Sequence, residues 1–183
     1  MRASTIFATA LATLALATTA HAWFGPSEQK PYEFHALSAA PPGEVTWTWQ
    51  DRRTTIRTEN QATKDGYALA DTVFRPRPAT YLQGEFARQV MAHAESDAIA
   101  DKLRGQSIEL LQCEIDVGLW LRLGERQSSK WETVRVYVRI RIDGQIFEAL
   151  ETQAFKSGAS PSPAADSMRA AASSLVEQIH QFL

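Results

Sequence analysis

The sequence predicts an α+β fold, in which a single, mostly antiparallel sheet carries two helices packed on one face. Three observations support this prediction. Residues 107–155 contain three consecutive runs in which apolar and polar side chains alternate with the period of a β-strand. Two other stretches, 80–104 and 163–182, carry apolar residues at the spacing of an amphipathic helix. With two strands before the first helix, the predicted element order is β-β-α-β-β-β-α.

Residues 1–22 have the pattern of a cleavable signal peptide. Arg2 gives a positive start, an apolar segment follows, and Ala20-His21-Ala22 matches the small-residue motif of a cleavage site. The apolar segment is shorter than the roughly 20 residues that a membrane-spanning helix needs, which argues against an uncleaved anchor. We therefore expect a periplasmic chain that starts at Trp23 and has no transmembrane segment after cleavage.

The charge balance and the cysteine content narrow the classes of function. The chain has 19 basic and 21 acidic residues, so no basic excess is present to attract nucleic acid, and no nucleic-acid partner is expected. Cys113 is the one cysteine, so an internal disulfide is excluded. Its place among the apolar positions of a strand predicts a buried thiol rather than a nucleophile.

The N-terminal part of the mature chain is predicted to be an extended arm over residues 23–43. It carries four prolines and few periodic apolar positions. Its aromatic residues could either pack along the domain or be presented to a partner. A single α+β domain is predicted over residues 44–183, a length that suits one hydrophobic core.

The first strands and the first helix follow from local signals. Alternation from Val45 to Trp49 predicts a strand that leads into Asp51-Arg52-Arg53. Asp65-Gly66 is typical of a hairpin turn, and 67–74 is predicted as a weaker strand after it. For the first helix, Thr80-Tyr81-Leu82-Gln83 fits a capping box at the start. The end is expected near Gly105, with a bend or restart at 95–97.

The central block supplies three strands and the last helix completes the layer. The first of these strands is predicted to run to Leu123 and to place Leu111 and Cys113 on its apolar face. Asp143-Gly144 predicts a two-residue turn that sets Arg139 opposite Glu148. Ser162-Pro163 predicts the start of the last helix, whose apolar stripe comprises Met168, Ala172, Leu175, Ile179 and Phe182.

The polar face of the central block is the predicted functional surface. Pairing Val117 with Val138 would set Asp116 opposite Arg139, Glu114 opposite Arg141 and Trp120 opposite Arg135, as in a cross-strand charge ladder with a cation–π contact. Such a face is either solvated or binds a partner. The candidate binding residues are Trp120, Arg135, Tyr137, Arg139, Asp116 and Glu148.

Motifs of catalysis, metal binding and cofactor binding do not emerge from the sequence. Glycine-rich phosphate loops and the Gly-x-Ser-x-Gly motif are absent. The histidines of the mature chain, His35, His93 and His180, are scattered and show no zinc-site spacing. We therefore predict no catalytic residue, no metal site and no cofactor.

The layout resembles a family of envelope proteins. A strand that ends in Asp-x-Arg (Asp51 and Arg53), a hairpin, a long helix, and strands closing on a C-terminal helix resemble the YajG-type envelope proteins. They also resemble the auxiliary lipoproteins of ABC transporters that move lipid between membranes. Trp23 stands where those lipoproteins have the lipid-bearing cysteine. The resemblance implies a role in the cell envelope and assigns no role to any one residue.

Two functions follow as expectations. The first is a non-catalytic periplasmic envelope protein that binds a protein partner or an amphipathic, lipid-like ligand through the polar sheet face. The alternative is a periplasmic hydrolase or an enzyme that modifies envelope polymers, with Glu114 and Asp116 as its carboxylates. A pocket around these acids with a raised carboxyl pKa would favour the enzyme, and an aromatic and arginine surface would favour binding.

Overall fold

A computed structural model describes residues 32–33, 45–64, 66–120, 131–156 and 163–182 of the chain. The described strands are β1 (Tyr32–Glu33), β2 (Thr48–Asp51), β3 (Gln61–Thr63), β4 (Gly66–Ala68), β5 (Phe74–Arg75), β6 (Ser107–Trp120), β7 (Trp131–Ile142) and β8 (Gln145–Lys156). The helices are α1 (Pro78–Ala92), α2 (Ser96–Leu103) and α3 (Pro163–Phe182). The predicted signal peptide, most of the predicted arm, Ser162 and the predicted end of the strand at Leu123 lie outside these residues.

One mostly antiparallel sheet organises the domain, which confirms the predicted α+β class. Its strands follow the order β3-β4-β6-β7-β8, and β2 adds to β6 in parallel. One side of β6 therefore pairs with β7, while the other side pairs with β2 near its start and with β4 near its end. Separately, β1 and β5 form a two-residue parallel pair, which ties part of the predicted arm to the chain after β4.

The helices cover one face of this sheet, as predicted. In α1, Leu82, Phe86 and Val90 are fully buried, and Met168 and Leu175 of α3 are equally inaccessible. The inward side chains of β7 meet them, namely Val136, Val138 and Ile140. Burial of each such side chain stabilises the fold by roughly 1.5–3 kcal/mol. Phe182 is the exception on the predicted stripe of α3, because it is 59% exposed at the helix end.

The first predicted helix is divided into two. The chain bends between Ala92 and Ser96, at the position where the apolar stripe shifts. The predicted capping box is wrong, because α1 begins at Pro78 and its N-cap, Arg77, makes no side-chain hydrogen bond. A proline in the first helical turn lacks the amide that a cap would satisfy. Gly105, with φ of 73°, follows the end of α2 as expected.

The predicted register of the β7–β8 hairpin is confirmed. Asp143 and Gly144 both have positive φ (47° and 78°), which a two-residue turn of type I′ requires. Arg139 consequently lies opposite Glu148. The pairing continues without a bulge to the strand ends, with Glu151 opposite Val136.

The predicted register of the β6–β7 hairpin is wrong. Val117 lies opposite Val134 instead of Val138, and Trp120 opposite Trp131 instead of Arg135. A displacement of four residues leaves every side chain on its predicted face, so alternation alone cannot distinguish the two registers. The charge pairs of the sheet change accordingly.

A β-bulge at Leu111 is a second difference between the predicted and the observed β6. The register shifts between Leu110 and Gln112, so Leu111 has no partner of its own in β7. Ile108 and Leu110 are fully buried before the bulge, and Cys113 is buried after it. Leu111, which we expected on the apolar face, is half-buried.

The segment between β2 and α1 contains more structure than predicted. Gln61–Thr63 is a strand that its polar sequence did not indicate, and it forms a hairpin with Gly66–Ala68. Gly66 lies opposite Thr63 in the strand, and not in the turn predicted at Asp65-Gly66. The predicted strand over 67–74 is broken after Ala68 by a 3-10 turn at Asp71–Val73. Ala68, Leu69 and Ala70 are all buried in succession, a pattern that a strand with one solvated face does not have.

Candidate functional site

The sheet face opposite the helices is the candidate site, and we call its side chains the outer face. Alternation along β6, β7 and β8 directs to it, among other side chains, Glu109, Glu114, Asp116, Arg135, Tyr137, Arg139, Arg141, Ile146, Glu148 and Leu150. Four are arginine or tyrosine from β7, and the flanking strands contribute the acids and the two aliphatic residues. The outer face therefore combines charge pairs with exposed apolar groups.

Charge pairs cross the outer face from strand to strand. Arg139 Nε lies 3.0 Å from Glu148 Oε1, as predicted. Arg141 Nε donates a hydrogen bond of 2.6 Å to Glu109 Oε2, which replaces the predicted pairing of Arg141 with Glu114. These groups are largely solvated, so each pair contributes at most about 1 kcal/mol to stability.

Arg57, from the irregular segment after β2, covers the acids of β6. Its Nη2 donates to Glu114 Oε2 at 3.0 Å, and its Nη1 lies 3.7 Å from Asp116 Oδ1. The predicted contact of Asp116 with Arg139 is therefore wrong, because the shifted register places Arg135 opposite Asp116. Burial raises the pKa of Asp116, Arg57 opposes this shift, and the Glu114 carboxylate adds to it.

Apolar side chains are exposed where β8 meets β7. Leu150 is 60% exposed and Ile146 39% exposed, and they lie opposite Tyr137 and Arg141. Burial raises the pKa of Tyr137, and the neighbouring Glu148 carboxylate raises it further. Tyr137 and Leu150 thus lie together on one side of the Arg139–Glu148 pair, and Ile146 lies on its other side.

Five of the six predicted binding residues share this face. Arg135, Tyr137, Arg139 and Glu148 lie on neighbouring positions of β7 and β8, and Asp116 is on β6 beside Arg135. The side chain of Trp120 lies outside the described residues, so its predicted cation–π contact is not part of the observed site.

Asp51 and Arg53 belong to a separate cluster, in which the side chain of Arg53 is buried and that of Asp51 is exposed. Arg53 Nε and Nη2 donate to the two carboxylate oxygens of Asp51 at 2.9 and 2.8 Å, and Nη1 donates to Asp71 Oδ2 at 2.8 Å. Burial alone would lower the pKa of Arg53, but these hydrogen bonds outweigh it and raise the pKa. The hydrogen bond from Arg53 lowers the pKa of Asp51. This arrangement joins the end of β2 to the 3-10 turn at Asp71–Val73.

The binding residues predicted from the sequence did not include Arg57, Leu150 and Ile146. Leu150 and Ile146 occupy the same alternating positions as Glu148, so the pattern of β8 could have placed them on the outer face. Arg57 lies in an irregular segment, where no periodicity indicates the direction of a side chain.

Two residues expected to be scattered are neighbours in space. The ring centroids of His93 and His180 are 4.9 Å apart, where the end of α1 meets α3. The expectation of scattered histidines is therefore wrong for this pair. The backbone path of α3 creates the contact, and sequence spacing gives no indication of it.

The buried thiol is confirmed and the described clefts lie away from the acids. Cys113 is 6% exposed, and burial raises its pKa to about 12, which makes it a poor nucleophile. Clefts of about 360 and 280 Å³ adjoin the β7–β8 turn and the end of α3, and both include Phe147 and Phe182. Neither is lined by Glu114 or Asp116.

Comparisons with known proteins do not extend this picture. Within the described part of the chain, no helix combines the length and the apolar character needed to cross a membrane. No family model, no curated protein and no solved structure matches this chain.

Proposed function

We propose that this chain is an exported, non-catalytic protein of the cell envelope that binds a protein partner through the outer face. The observation that carries the proposal is the exposure of Leu150 on the outer strand of the described sheet, beside Tyr137 and the Arg139–Glu148 pair. Exposed apolar groups rimmed by charged groups are typical of interaction surfaces. The signal-peptide pattern of residues 1–22 supports the location in the envelope.

Charge balance favours a protein partner over an anionic lipid or a nucleic acid. The four arginines at this face, Arg57, Arg135, Arg139 and Arg141, are matched by four carboxylates, Glu109, Glu114, Asp116 and Glu148. A surface without a positive surplus gains little from phosphate groups. A partner segment with an apolar side chain for Leu150 and a polar group for the Arg139–Glu148 pair fits this face.

A matched pair of substitutions tests the binding surface. Leu150→Asp places a charge beside Tyr137 on the outer face, whereas Ile56→Asp changes another exposed apolar residue (47%) outside the sheet. We expect cross-linking in envelope extract, read by quantitative mass spectrometry, to lose the same protein adduct with Leu150→Asp and with Arg139→Ala. The adduct should persist with Ile56→Asp. An identical adduct pattern for all variants, or a lipid adduct in place of a protein, would overturn the proposal.

The location in the envelope has an independent test. Cell fractionation followed by N-terminal sequencing should find the mature chain in the periplasmic fraction, beginning at Trp23. A cytoplasmic chain that retains Met1 would contradict export. The cross-linking experiment would still test the binding surface independently.

One observation favours the enzymatic alternative, namely the raised pKa of the half-buried Asp116. A carboxylic acid of this kind can donate a proton to a leaving group during hydrolysis. We expect Asp116→Asn to leave partner cross-linking intact. Turnover of peptidoglycan fragments by the wild type that Asp116→Asn abolishes would instead establish the enzyme.

A further inference from the structure

A group of metal-ligating side chains lies on the helical side of the domain, away from the outer face. His93 is the C-cap of α1, and Glu177 and His180 stand three residues apart on α3, where they share one side of that helix. One potential ligand atom from each of these residues lies within 4.8 Å of the others. The packing of the helices thus brings the imidazole of His93 next to a carboxylate and an imidazole of α3 that lie 84 and more residues later in the sequence.

The spacing of these atoms suits a tetrahedral cation. His93 Nε2 lies 3.4 Å from Glu177 Oε1. Two ligands at about 2.0–2.2 Å from a tetrahedral zinc ion lie roughly 3.4 Å apart, so a cation between these atoms needs no change in their separation. The partial exposure of the three side chains, 15% for His93, 29% for His180 and 54% for Glu177, leaves one side open to solvent.

A second carboxylate supports the group. Glu95 Oε2 lies 3.1 Å from His180 Nε2. Carboxylates that accept a hydrogen bond from a histidine ring orient that ring and increase its basicity in many metal sites. Glu95 can therefore hold the His180 ring while the other ring nitrogen binds the cation.

We infer that His93, Glu177 and His180 form a binding site for a divalent transition-metal ion such as Zn²⁺, with Glu95 positioning His180. Two imidazoles and one carboxylate match the ligand preference of zinc and of its neighbours in the first transition row, and not that of Mg²⁺ or Ca²⁺. Such an ion would fasten the end of α1 to α3. This inference does not rest on the proposed function of the outer face.

Binding requires one local change. His93 Nδ1 accepts a hydrogen bond of 3.1 Å from the Glu95 amide, so the neutral ring carries its proton on Nε2. A cation on Nε2 moves that proton to Nδ1, and the ring stays neutral while the hydrogen bond from Glu95 is lost. The Glu95 amide resonance therefore reports directly on occupation of the site.

Calorimetric titration of the purified full chain with ZnCl₂ tests the inference. We expect one Zn²⁺ per chain, with affinity reduced at least tenfold in His180→Ala and in Glu177→Gln. Asp166→Asn, which removes an exposed carboxylate from the first turn of α3, is the matched control and should bind like the wild type. MgCl₂ should give no heat at the same concentrations.

Glu177→Gln separates a loss of Zn²⁺ binding from a loss of folding, because this exposed side chain can be changed without disturbing the core. Zn²⁺ should also raise the melting temperature of the wild type and of Asp166→Asn, and shift the Glu95 amide resonance. Equal binding by the wild type, His180→Ala and Glu177→Gln would overturn the site. So would the absence of binding, since the four residues would then form two histidine–glutamate pairs only.

Discussion

Arg53 Nη1 donates a 2.8 Å hydrogen bond to Asp71 Oδ2 across 18 residues of sequence, and the two side chains are only 3% and 8% exposed. This contact joins the end of β2 to the 3-10 turn that precedes β5. It spans the stretch of β6 between the residues that pair with β2 and those that pair with β4. The buried charge pair thus bridges a break in the hydrogen-bonded ladder.

Arg53→Met should destabilise the fold by about 3–5 kcal/mol, because it leaves the buried Asp71 carboxylate without its cation. Urea denaturation followed by circular dichroism measures the change in the free energy of unfolding. Arg52→Met is the control, since Arg52 is exposed and its Nε donates a hydrogen bond to Gln50 Oε1 on the same strand. A similar loss for both variants would show that the Arg53–Asp71 pair has no special role.

Gly66→Ala should destabilise the β3–β4 hairpin, because an added Cβ would meet the backbone oxygen of Val117 at 1.9 Å. We expect a loss of about 1–3 kcal/mol, as for other overpacked sites. Gly84→Ala is a matched control on α1, where nothing lies within 4 Å of an added Cβ. It should stabilise the helix by about 0.8–1 kcal/mol. Changes of the same sign for the two variants would contradict this prediction.

A double-mutant cycle on Arg139 and Glu148 should give a coupling energy of about 0.2–1 kcal/mol, the range of exposed ion pairs. The same cycle on Arg139 and Asp116 should give none, because β6 places Asp116 opposite Arg135. Thermal or urea unfolding of the single and double variants supplies the values. Coupling between Arg139 and Asp116 that exceeds the coupling to Glu148 would restore the register first predicted.

Asp116→Asn should gain stability relative to the wild type as pH rises. The pKa of Asp116 is raised in the folded state above its ordinary value of 3.8. The stabilising contribution of the protonated form is fully present below pH 3.8 and is lost as pH rises through the folded pKa. Asparagine cannot ionise, so the variant avoids this loss. Urea denaturation near pH 3.5 and at neutral pH tests the effect, and a difference independent of pH would contradict it.

Alternation in the sequence predicted the faces of the sheet but only one of its two long registers. Asp143 and Gly144 allow a single two-residue turn, which determines every pair between β7 and β8. The sequence between β6 and β7 is longer and contains no Asn-Gly or Asp-Gly pair, and a displacement by four residues preserves the faces. The charge pairs of β6 therefore could not be predicted, whereas Arg139–Glu148 could.

Contacts between distant segments were also beyond the sequence. Asp51 and Arg53 were identified as a motif, but Asp71, which accepts a hydrogen bond from Arg53, lies in a turn that no periodicity indicates. The approach of His93 to His180 depends on how α3 crosses the end of α1. Both contacts depend on how distant segments pack against each other, which a local sequence pattern does not indicate.

The bulge at Leu111 changes which residues of β6 face outward. Before the bulge they have odd numbers, and after it they have even numbers. Odd-numbered Glu109 and even-numbered Glu114 both reach the outer face, because the extra residue advances the strand by one step between them. If Leu111 instead occupied a regular position in the ladder, one end of the strand would turn over, exchanging core leucines and isoleucines for carboxylates. Deleting Leu111 would join Leu110 to Gln112, which already pair with the consecutive residues Ile140 and Arg139. This deletion should therefore be tolerated better than the deletion of a regularly paired residue of β6.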